Sequence, residues 1–171
     1  MKIVGPRLDR ADECGAILRS LPMWFGIEKA TLMYIEDTRR LDTFAVERDG
    51  RLVAFLTVRE HFPAAAEVHC MAVAAAARRQ GCGRLLLGHV QGWLAGRGVR
   101  FLQVKTVAAT SPSAEYAQTR RFYEAMGFTP LEIFPDLWDP WNPALQYVKV
   151  LAAAAATPPA RAEPPPPASA A

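Results

Sequence analysis

The sequence lacks the features that mark disulfide-rich, zinc-binding and membrane-spanning proteins. Its three cysteines, Cys14, Cys70 and Cys82, are far apart and form no Cys-x-x-C pair, which argues against a disulfide framework and against a structural zinc site. No apolar run is long enough to cross a membrane, and Met1 leads into a short strand-like run rather than the apolar segment of a signal peptide. We therefore expect a protein without a metal, in a reducing, cytoplasmic setting.

The sequence also lacks a large excess of positive or negative charge. The formal net charge is only +3, and the lysines and arginines are interspersed with acids rather than gathered in a block, so nucleic-acid binding is not indicated. The length of 171 residues is typical of one domain with a substantial core. From Ala152 onward the chain is almost entirely alanine and proline. Such a composition cannot bury a core, and we predict that 152–171 is a disordered tail.

What the chain does contain is one informative stretch, from Glu67 to Leu87. Its first half is rich in buried-strand residues, and its last part, from Cys82, repeats apolar residues at helical spacing. Between them lies a cationic loop with two glycines, Arg78-Arg79-Gln80-Gly81-Cys82-Gly83. A helix start leaves backbone N–H groups unpaired and carries partial positive charge, so this loop is suited to hold a phosphate or pyrophosphate.

The loop differs from two common phosphate-binding motifs. A dinucleotide fingerprint needs a third glycine where Leu86 stands, and a P-loop needs a Gly-Lys-Ser/Thr ending that is absent. The loop instead matches the pattern Arg/Gln-x-x-Gly-x-Gly/Ala. With the preceding strand and a second motif at Arg121–Phe128 (R-F-Y-E-A-M-G-F), the sequence resembles the GCN5-related N-acetyltransferases, the GNAT family. The resemblance covers residues 2–150 and implies one acetyltransferase domain over 1–151.

Sequence patterns along the chain predict the element order β-α-α-β-β-β-α-β-α-β-β. The residues assigned to these elements are Lys2–Leu8, Arg10–Ser20 (with Asp9 as N-cap), Glu28–Leu41, Thr43–Arg48, Arg51–Glu60, the strand from Glu67, the helix from Cys82, Val99–Val107, a helix that starts at Ser113 or Ala114 and ends at Met126, Phe128–Phe134 and Leu145–Val150. The fold class is mixed α/β (α+β). The resemblance implies a GNAT fold: a mostly antiparallel central sheet with a splayed parallel strand pair and flanking helices.

The resemblance also implies how acetyl-CoA, used as co-substrate, is held. Backbone groups of Met71, Ala72 and Val73 would contact the thioester carbonyl and the pantetheine arm. The loop residues Arg78, Arg79, Gln80, Gly81, Cys82, Gly83 and Arg84 would surround the pyrophosphate. Many relatives carry an asparagine seven residues before the tyrosine of the second motif, but Tyr116 stands there in this chain. Tyr116, Thr119 or Arg120 is therefore expected to replace its cofactor contact.

Acetyl transfer needs a base for the amine and an acid for the departing thiolate. Glu67 and His69 are expected on one face of the central strand, and Glu67 stands where histone-acetylating relatives carry their general base. Either residue is a candidate base. The alternative is that Glu67 is a solvated acid at the strand end and that His69 is a half-buried residue with its hydrogen bonds satisfied. Tyr123 matches the tyrosine that protonates the thiolate in many relatives. The alternative for Tyr123 is that it packs within an apolar stripe of its helix. Cys82, at a helix start, is a conceivable nucleophile, and the alternative is that it only fills the variable position of the motif.

The acceptor site is less defined by the sequence. In relatives, the loop between the first two helices and the last strand pair form its walls. Trp24, Phe25, Trp138 and Trp141 fall there and would line a pocket for a small or partly apolar amine, with Asp136 and Asp139 as candidate partners of the ammonium. Alternatively, these aromatic residues seal the edge of the core.

The resulting prediction is an acetyl-CoA-dependent N-acetyltransferase that transfers the acetyl group directly to a primary amine, most simply that of a small molecule. No nucleic-acid or membrane partner is expected, and a homodimer is left open. The alternatives are a protein-lysine or N-terminal acetyltransferase, a CoA-binding sensor without turnover, and a module that binds a partner protein.

Overall fold

The computed structural model describes residues 1–151, so the predicted disordered tail lies outside the described residues. The elements follow the predicted order. They are β1 (Lys2–Val4), α1 (Ala11–Arg19), α2 (Glu28–Arg40), β2 (Asp42–Arg48), β3 (Arg51–Phe62), β4 (Ala65–Val73), a single 3-10 turn (Ala75–Ala77), α3 (Cys82–Gly96), β5 (Phe101–Val107), α4 (Ala114–Ala125), β6 (Thr129–Phe134) and β7 (Ala144–Val150).

All seven strands form one sheet in the order β1-β2-β3-β4-β5-β7-β6. Every neighbouring pair is antiparallel except β4 and β5, which are parallel and are connected through α3. The mixed fold class with one parallel pair in a mostly antiparallel sheet is confirmed. The β2–β3 hairpin turns at Asp49 and Gly50, both with positive φ (51° and 76°), as expected for an Asp-Gly turn.

The start of the chain differs from the prediction. β1 ends at Val4, because Gly5 and Pro6 follow and proline has no N–H to continue a strand ladder. Asp9 is not the N-cap of α1. Arg10 occupies the cap position without a side-chain cap bond, and its guanidinium binds Glu13 and Glu47 instead. A salt bridge to a neighbouring strand therefore fixes the helix start where a cap was expected.

Two apolar clusters pack on opposite faces of the sheet. The larger joins α3 and α4 to the sheet, for example through Leu86, Val90 and Tyr123, and we call this side the α3/α4 face. The smaller joins α1 to the sheet with part of α2, through residues such as Leu18 and Phe55, and we call this side the α1/α2 face. No helix among residues 1–151 is long and apolar enough to cross a membrane.

Strand β4 contributes to both clusters because it contains a β-bulge. Thr57 of β3 pairs with Cys70 and Val58 pairs with Val68, so His69 is an extra residue on β4. Before the bulge, Val68 packs on the α3/α4 face, and after it Cys70 packs on the α1/α2 face. A single inserted residue therefore reverses the side-chain alternation in the middle of the strand.

Candidate active site

The parallel strands β4 and β5 separate partway along their length. Their ladder runs only from Ala65 opposite Phe101 to Val68 opposite Val104, although β4 continues to Val73 and β5 to Val107. The splayed pair is thereby confirmed. Beyond Val68, the edge of β4 that faces β5 has no strand partner, and Met71, Ala72 and Val73 lie in this unpaired stretch. Such an edge can bind an extended amide-containing ligand as an added strand.

The cationic loop lies immediately after the unpaired part of β4. Gly81, with φ of 81°, occupies the N-cap position of α3 and brings no side chain to cap the first-turn N–H groups. A Cβ built on Gly81 would meet nothing within 4 Å. Arg79 and Arg84 are exposed. An open, uncapped and cationic helix start fits the pyrophosphate of acetyl-CoA.

Gly83 and Cys82 have a packing role in addition to the cofactor contact that the motif implied. A Cβ on Gly83 would lie 3.2 Å from Cε of Met71 and 3.4 Å from Cζ of Phe122. The absent side chain of Gly83 therefore lets α3 pack closely against β4 and α4. Cys82 is buried in the apolar cluster. Only the backbone N–H groups of these two residues are available to a ligand, and a nucleophilic role for the Cys82 thiol has no support.

Two residues predicted to bind cofactor also contact protein groups. Gln80 accepts a hydrogen bond from Arg48 (2.8 Å) and donates to the carbonyl of Ala76. Arg120 of α4 donates to the carbonyl of Val107, at the end of β5 (2.8 Å). Arg120 therefore lies beside the strand opening.

The predicted cofactor residue Tyr116 and the predicted acceptor residue Trp24 are bound to one another. The Tyr116 hydroxyl donates to the carbonyl of Trp24 (3.0 Å), and the Trp24 indole donates to Thr119 (3.2 Å). The guanidinium of Arg78 lies over the Trp24 ring at 4.3 Å. This Trp24 bridge ties the α1–α2 loop to α4 and to the cationic loop.

Phe25 packs inward, with its ring edge-on to Tyr34 at 6.0 Å. In the β6–β7 loop, by contrast, Trp138 is 46% exposed and Trp141 is 82% exposed. Asp139 accepts hydrogen bonds from the backbone of Trp141 and from Asn142, and these bonds lower the pKa of its carboxyl. Asp139 thus caps its own turn, so the sequence-based idea that it holds an ammonium is not supported.

Glu67 lies on the α1/α2 face in a dense polar network. Its carboxylate accepts hydrogen bonds from Lys105 (2.8 Å) and Gln103 (3.3 Å) and lies 2.7 Å from Nε2 of His61. Burial opposes ionisation of Glu67, but the bonds from Lys105 and His61 outweigh it, so the pKa of this carboxyl is lowered. Neither His61 nor Lys105 was anticipated as its partner. His61 is the extra residue of a second register shift, in β3, that no sequence pattern marked.

His69 lies on the same face, as predicted, and contacts α2. Its Nε2 is 2.7 Å from Oδ2 of Asp37, and the ring meets Tyr34 edge-on at 5.5 Å. Asp37 was missed as a site residue. The available signal was its position three residues after Tyr34 on the inward side of α2, where an acid is unexpected. Burial lowers the pKa of His69, although the bond to Asp37 acts in the opposite direction.

Tyr123 is buried on the α3/α4 face among aromatic rings, with Phe122 at 5.3 Å and Phe128 at 5.5 Å. Burial raises the pKa of its phenol, so the hydroxyl stays protonated and able to donate. No hydrogen-bond partner of this hydroxyl is found within residues 1–151. Among the same residues, the only side-chain nitrogen or oxygen that is both sealed and unpartnered is Nε2 of Gln91. Tyr123 itself is 6% exposed.

A shallow groove of about 360 Å³ borders the polar network on the α1/α2 face. His61 and Gln103, which line this groove, both contact Glu67. Its apolar walls come from Phe62 and Phe101, both exposed. In the part of the chain that the model describes, no group of three or more metal-ligating side chains is found.

Comparisons with known proteins agree with this geometry. The family model of the acetyltransferase (GNAT) domain matches residues 39–130. No curated protein sequence matches significantly.

Solved structures match over most of the chain. A crystal structure from Desulfovibrio desulfuricans, named for the GNAT acetyltransferase family, has a TM-score of 0.78 at 18% identity and covers 88% of this chain and 99% of its own. An aminoglycoside 6'-N-acetyltransferase complexed with coenzyme A has a TM-score of 0.69 at 17% identity, with 89% and 98% covered. The ribosomal-protein-alanine N-acetyltransferase from Brucella melitensis has a TM-score of 0.67 at 19% identity, with 88% and 100% covered. At these identities the likeness shows the fold.

Proposed function

The chain belongs to the GNAT acetyltransferase family, and from that premise we propose that it transfers the acetyl group of acetyl-CoA directly to a primary amine of a small molecule. The family assigns the activity, an N-acetyltransferase that uses acetyl-CoA, and the direct route and the acceptor class are the proposal. One observation carries it. The candidate acid Tyr123 and the candidate bases Glu67 and His69 lie on opposite faces of the sheet, and the β4–β5 opening lies between the faces.

The donor side of the proposal uses backbone groups. The unpaired edge at Met71, Ala72 and Val73 would bind the pantetheine amides, and the N–H groups at the start of α3 would bind the pyrophosphate. Arg79 and Arg84 are the exposed arginines that add positive charge. Bound acetyl-CoA supplies a thioester whose carbonyl carbon bonds to the amine nitrogen as its bond to sulfur breaks.

Side chains of the protein then transfer the protons that the reaction requires. A free alkyl amine has a pKa of about 10.4, so it must lose a proton to attack at neutral pH. Glu67 or His69, on the α1/α2 face, accepts that proton. Tyr123, on the α3/α4 face, donates one to the departing thiolate. A nearby backbone N–H of β4 stabilises negative charge on the carbonyl oxygen.

Charge on the α1/α2 face supports a small acceptor rather than a basic protein tail. The carboxylates of Glu67 and Asp37 are already paired with Lys105 and Arg59, so neither is left as an unpaired acid for a lysine-rich peptide. The exposed rings of Trp138 and Trp141 offer apolar contact instead. An aminoglycoside acetyltransferase among the similar structures fits this class. Acetylation of a protein N-terminus is the second candidate, because a ribosomal-protein-alanine acetyltransferase shares the fold.

The test begins with calorimetric titration of acetyl-CoA into the full-length chain. Thiol release is then measured with a panel of aminoglycosides, polyamines, amino acids and short peptides with alanine or lysine ends. Micromolar binding with turnover on a small amine supports the proposal, and turnover only on peptides selects the second candidate. Binding without turnover on any amine would favour a CoA sensor. No binding would overturn the donor site.

A further inference from the structure

His69 occupies a special position relative to the strand opening. The β4–β5 ladder ends at Val68, so His69 is the first residue of β4 beyond it. His69 is also the extra residue of the β-bulge. Bulges next to active sites redirect a side chain out of the regular alternation. Here the redirected ring lies on the α1/α2 face at the narrow end of the opening.

The contacts of the ring determine which nitrogen carries the proton. Oδ2 of Asp37 lies 2.7 Å from Nε2 of His69. The Arg59 guanidinium, which can only donate, lies 3.2 Å from the same Nε2 and 3.2 Å from Oδ2 of Asp37. Because Arg59 has the carboxylate as its acceptor and the contact of Nε2 with Asp37 is the shorter one, the hydrogen is assigned to Nε2, which donates it to Asp37. In the neutral ring, Nδ1 is then left with a free lone pair.

The second ring nitrogen has no protein partner among the described residues. No hydrogen bond to Nδ1 of His69 is found within residues 1–151, and 9% of the side chain is exposed. Nδ1 is therefore the ring nitrogen that a ligand or a water molecule would contact. The edge-on contact with Tyr34 and the bond to Asp37 hold the ring in one orientation.

We propose that Asp37 of α2 is a positioning residue that presents Nδ1 of His69 as the proton acceptor for the incoming amine. The inference rests on the proposed function and selects His69 over Glu67. As the N–C bond forms and the C–S bond breaks, the amine proton passes to Nδ1. The resulting imidazolium, stabilised by Asp37, returns the proton to solvent, and the thiolate takes its proton from Tyr123, which solvent reprotonates.

Glu67 is less suited to this step because its carboxylate is already occupied by Lys105, His61 and Gln103. A strongly ion-paired carboxylate is a poor proton acceptor at neutral pH. The charged and titratable groups around His69 are Asp37 and Tyr34 from α2, Arg59 from β3 and Glu67 from β4. Burial outweighs the two carboxylates among them and lowers the pKa of His69, so the ring is neutral at pH 7.

The first test needs no substrate. The chain has three histidines, so long-range ¹H–¹⁵N spectra of the full-length protein resolve each ring, and His69→Gln assigns the signal. We expect His69 to show a protonated Nε2 and an unprotonated Nδ1 at pH 7, and to titrate below 6.5. A ring protonated on Nδ1, or one that is charged at pH 7, would overturn the proposal.

The second test compares two neighbouring acids of α2. Asp37→Asn removes the charge that favours the imidazolium, so we expect the acid limb of the kcat/KM profile to move to lower pH and the plateau to fall by about tenfold to 100-fold. Glu36→Gln is the matched control, because Glu36 pairs only with exposed Arg39 and Arg40. It should leave the limb in place. Thermal melting of both variants verifies folding.

The outcomes separate this inference from the proposed function. If the unaltered protein acetylates no amine, the proposed function fails, and the spectra still report the His69 tautomer. If it is active and its acid limb survives His69→Gln but disappears in Glu67→Gln, the proposed function stands and the role of Asp37 and His69 is overturned. The role of Asp37 and His69 is also overturned if the acid limb of the kcat/KM profile lies at the same pH in Asp37→Asn and in the unaltered enzyme.

Discussion

The two faces of the sheet offer ligands different kinds of groups. On the α3/α4 side, the groups proposed to bind the cofactor are backbone groups: an unpaired strand edge and an uncapped helix start. On the α1/α2 side, they are ionised side chains already joined in pairs, such as Glu67 with Lys105 and Asp37 with Arg59. Backbone groups suit the pantetheine and pyrophosphate of acetyl-CoA, which are the same in every reaction. The side chains of the α1/α2 face, by contrast, can differ between enzymes that act on different acceptors. The first four predictions below test that division.

The largest effect is expected at Tyr123. Tyr123→Phe removes a hydroxyl that has no partner within residues 1–151, so stability should change little. The loss of the proton donor should lower kcat by about 100-fold, while the acetyl-CoA dissociation constant stays the same. Steady-state kinetics and calorimetry measure both quantities.

Tyr147→Phe is the control for this change. The Tyr147 hydroxyl donates to Glu124 at 2.8 Å, so its removal should reduce stability by about 1 kcal/mol and leave kcat unaltered. Equal kcat values for Tyr123→Phe and the unaltered enzyme would contradict the acid role.

The next largest effect is expected at the helix start. Gly81→Asp places a negative charge where the pyrophosphate is proposed to bind and should weaken acetyl-CoA binding by about 2–3 kcal/mol, roughly 30- to 150-fold. Gly50→Asp is a matched control, because both glycines have positive φ and an open Cβ position. Both variants should lose similar stability in thermal melts. Equal acetyl-CoA affinity of the two variants would place the pyrophosphate elsewhere.

A smaller effect is expected at Lys105, and it depends on pH. Since the folded pKa of Glu67 lies below its ordinary value of 4.5, Glu67 contributes stability above about pH 4.5 and loses it as the pH falls through the folded pKa. Lys105→Met removes the 2.8 Å bond and raises that folded pKa. We expect a loss of about 2 kcal/mol at pH 7 that shrinks toward pH 3.

Urea unfolding at several pH values measures this difference. Lys149→Met is the comparison, because Lys149 binds Gln91 and the carbonyl of Met126 rather than a carboxylate. Its stability loss should not vary with pH in the acid range. A pH-independent loss for Lys105→Met would show that the ion pair does not lower the pKa of Glu67.

The smallest effect is expected at the exposed β6–β7 loop. Trp141→Ala should leave stability and acetyl-CoA affinity unaltered. It should raise the acceptor KM roughly fivefold, which corresponds to a loss of about 1 kcal/mol of acceptor binding free energy. Leu131→Ala, also exposed but within β6, should not change KM. If the two variants have the same acceptor KM, Trp141 is not part of the acceptor wall.

The sequence predicted the α3/α4 face better than the α1/α2 face. The loop at Arg78–Gly83 and its helix form a continuous segment, so local patterns locate them. The pair Asp37 and His69 joins a helix to a strand 32 residues away, and no local pattern encodes that contact. The two register shifts, at His69 and His61, were missed for the same reason. Nor can the helical spacing of α4 show that Tyr116 bonds to Trp24, which lies 92 residues away in the sequence.

Because of the bulge at His69, the middle of β4 should tolerate substitutions and deletions differently. A substitution at position 69 alters one ring and its bond to Asp37, while the flanking residues keep their sides. Deleting one residue there would restore simple alternation and turn Cys70 and Ala72 from the smaller cluster toward the larger one. Length at this point is therefore constrained by packing, separately from the chemistry of the His69 ring, and deleting residue 69 should destabilise the fold far more than His69→Gln does.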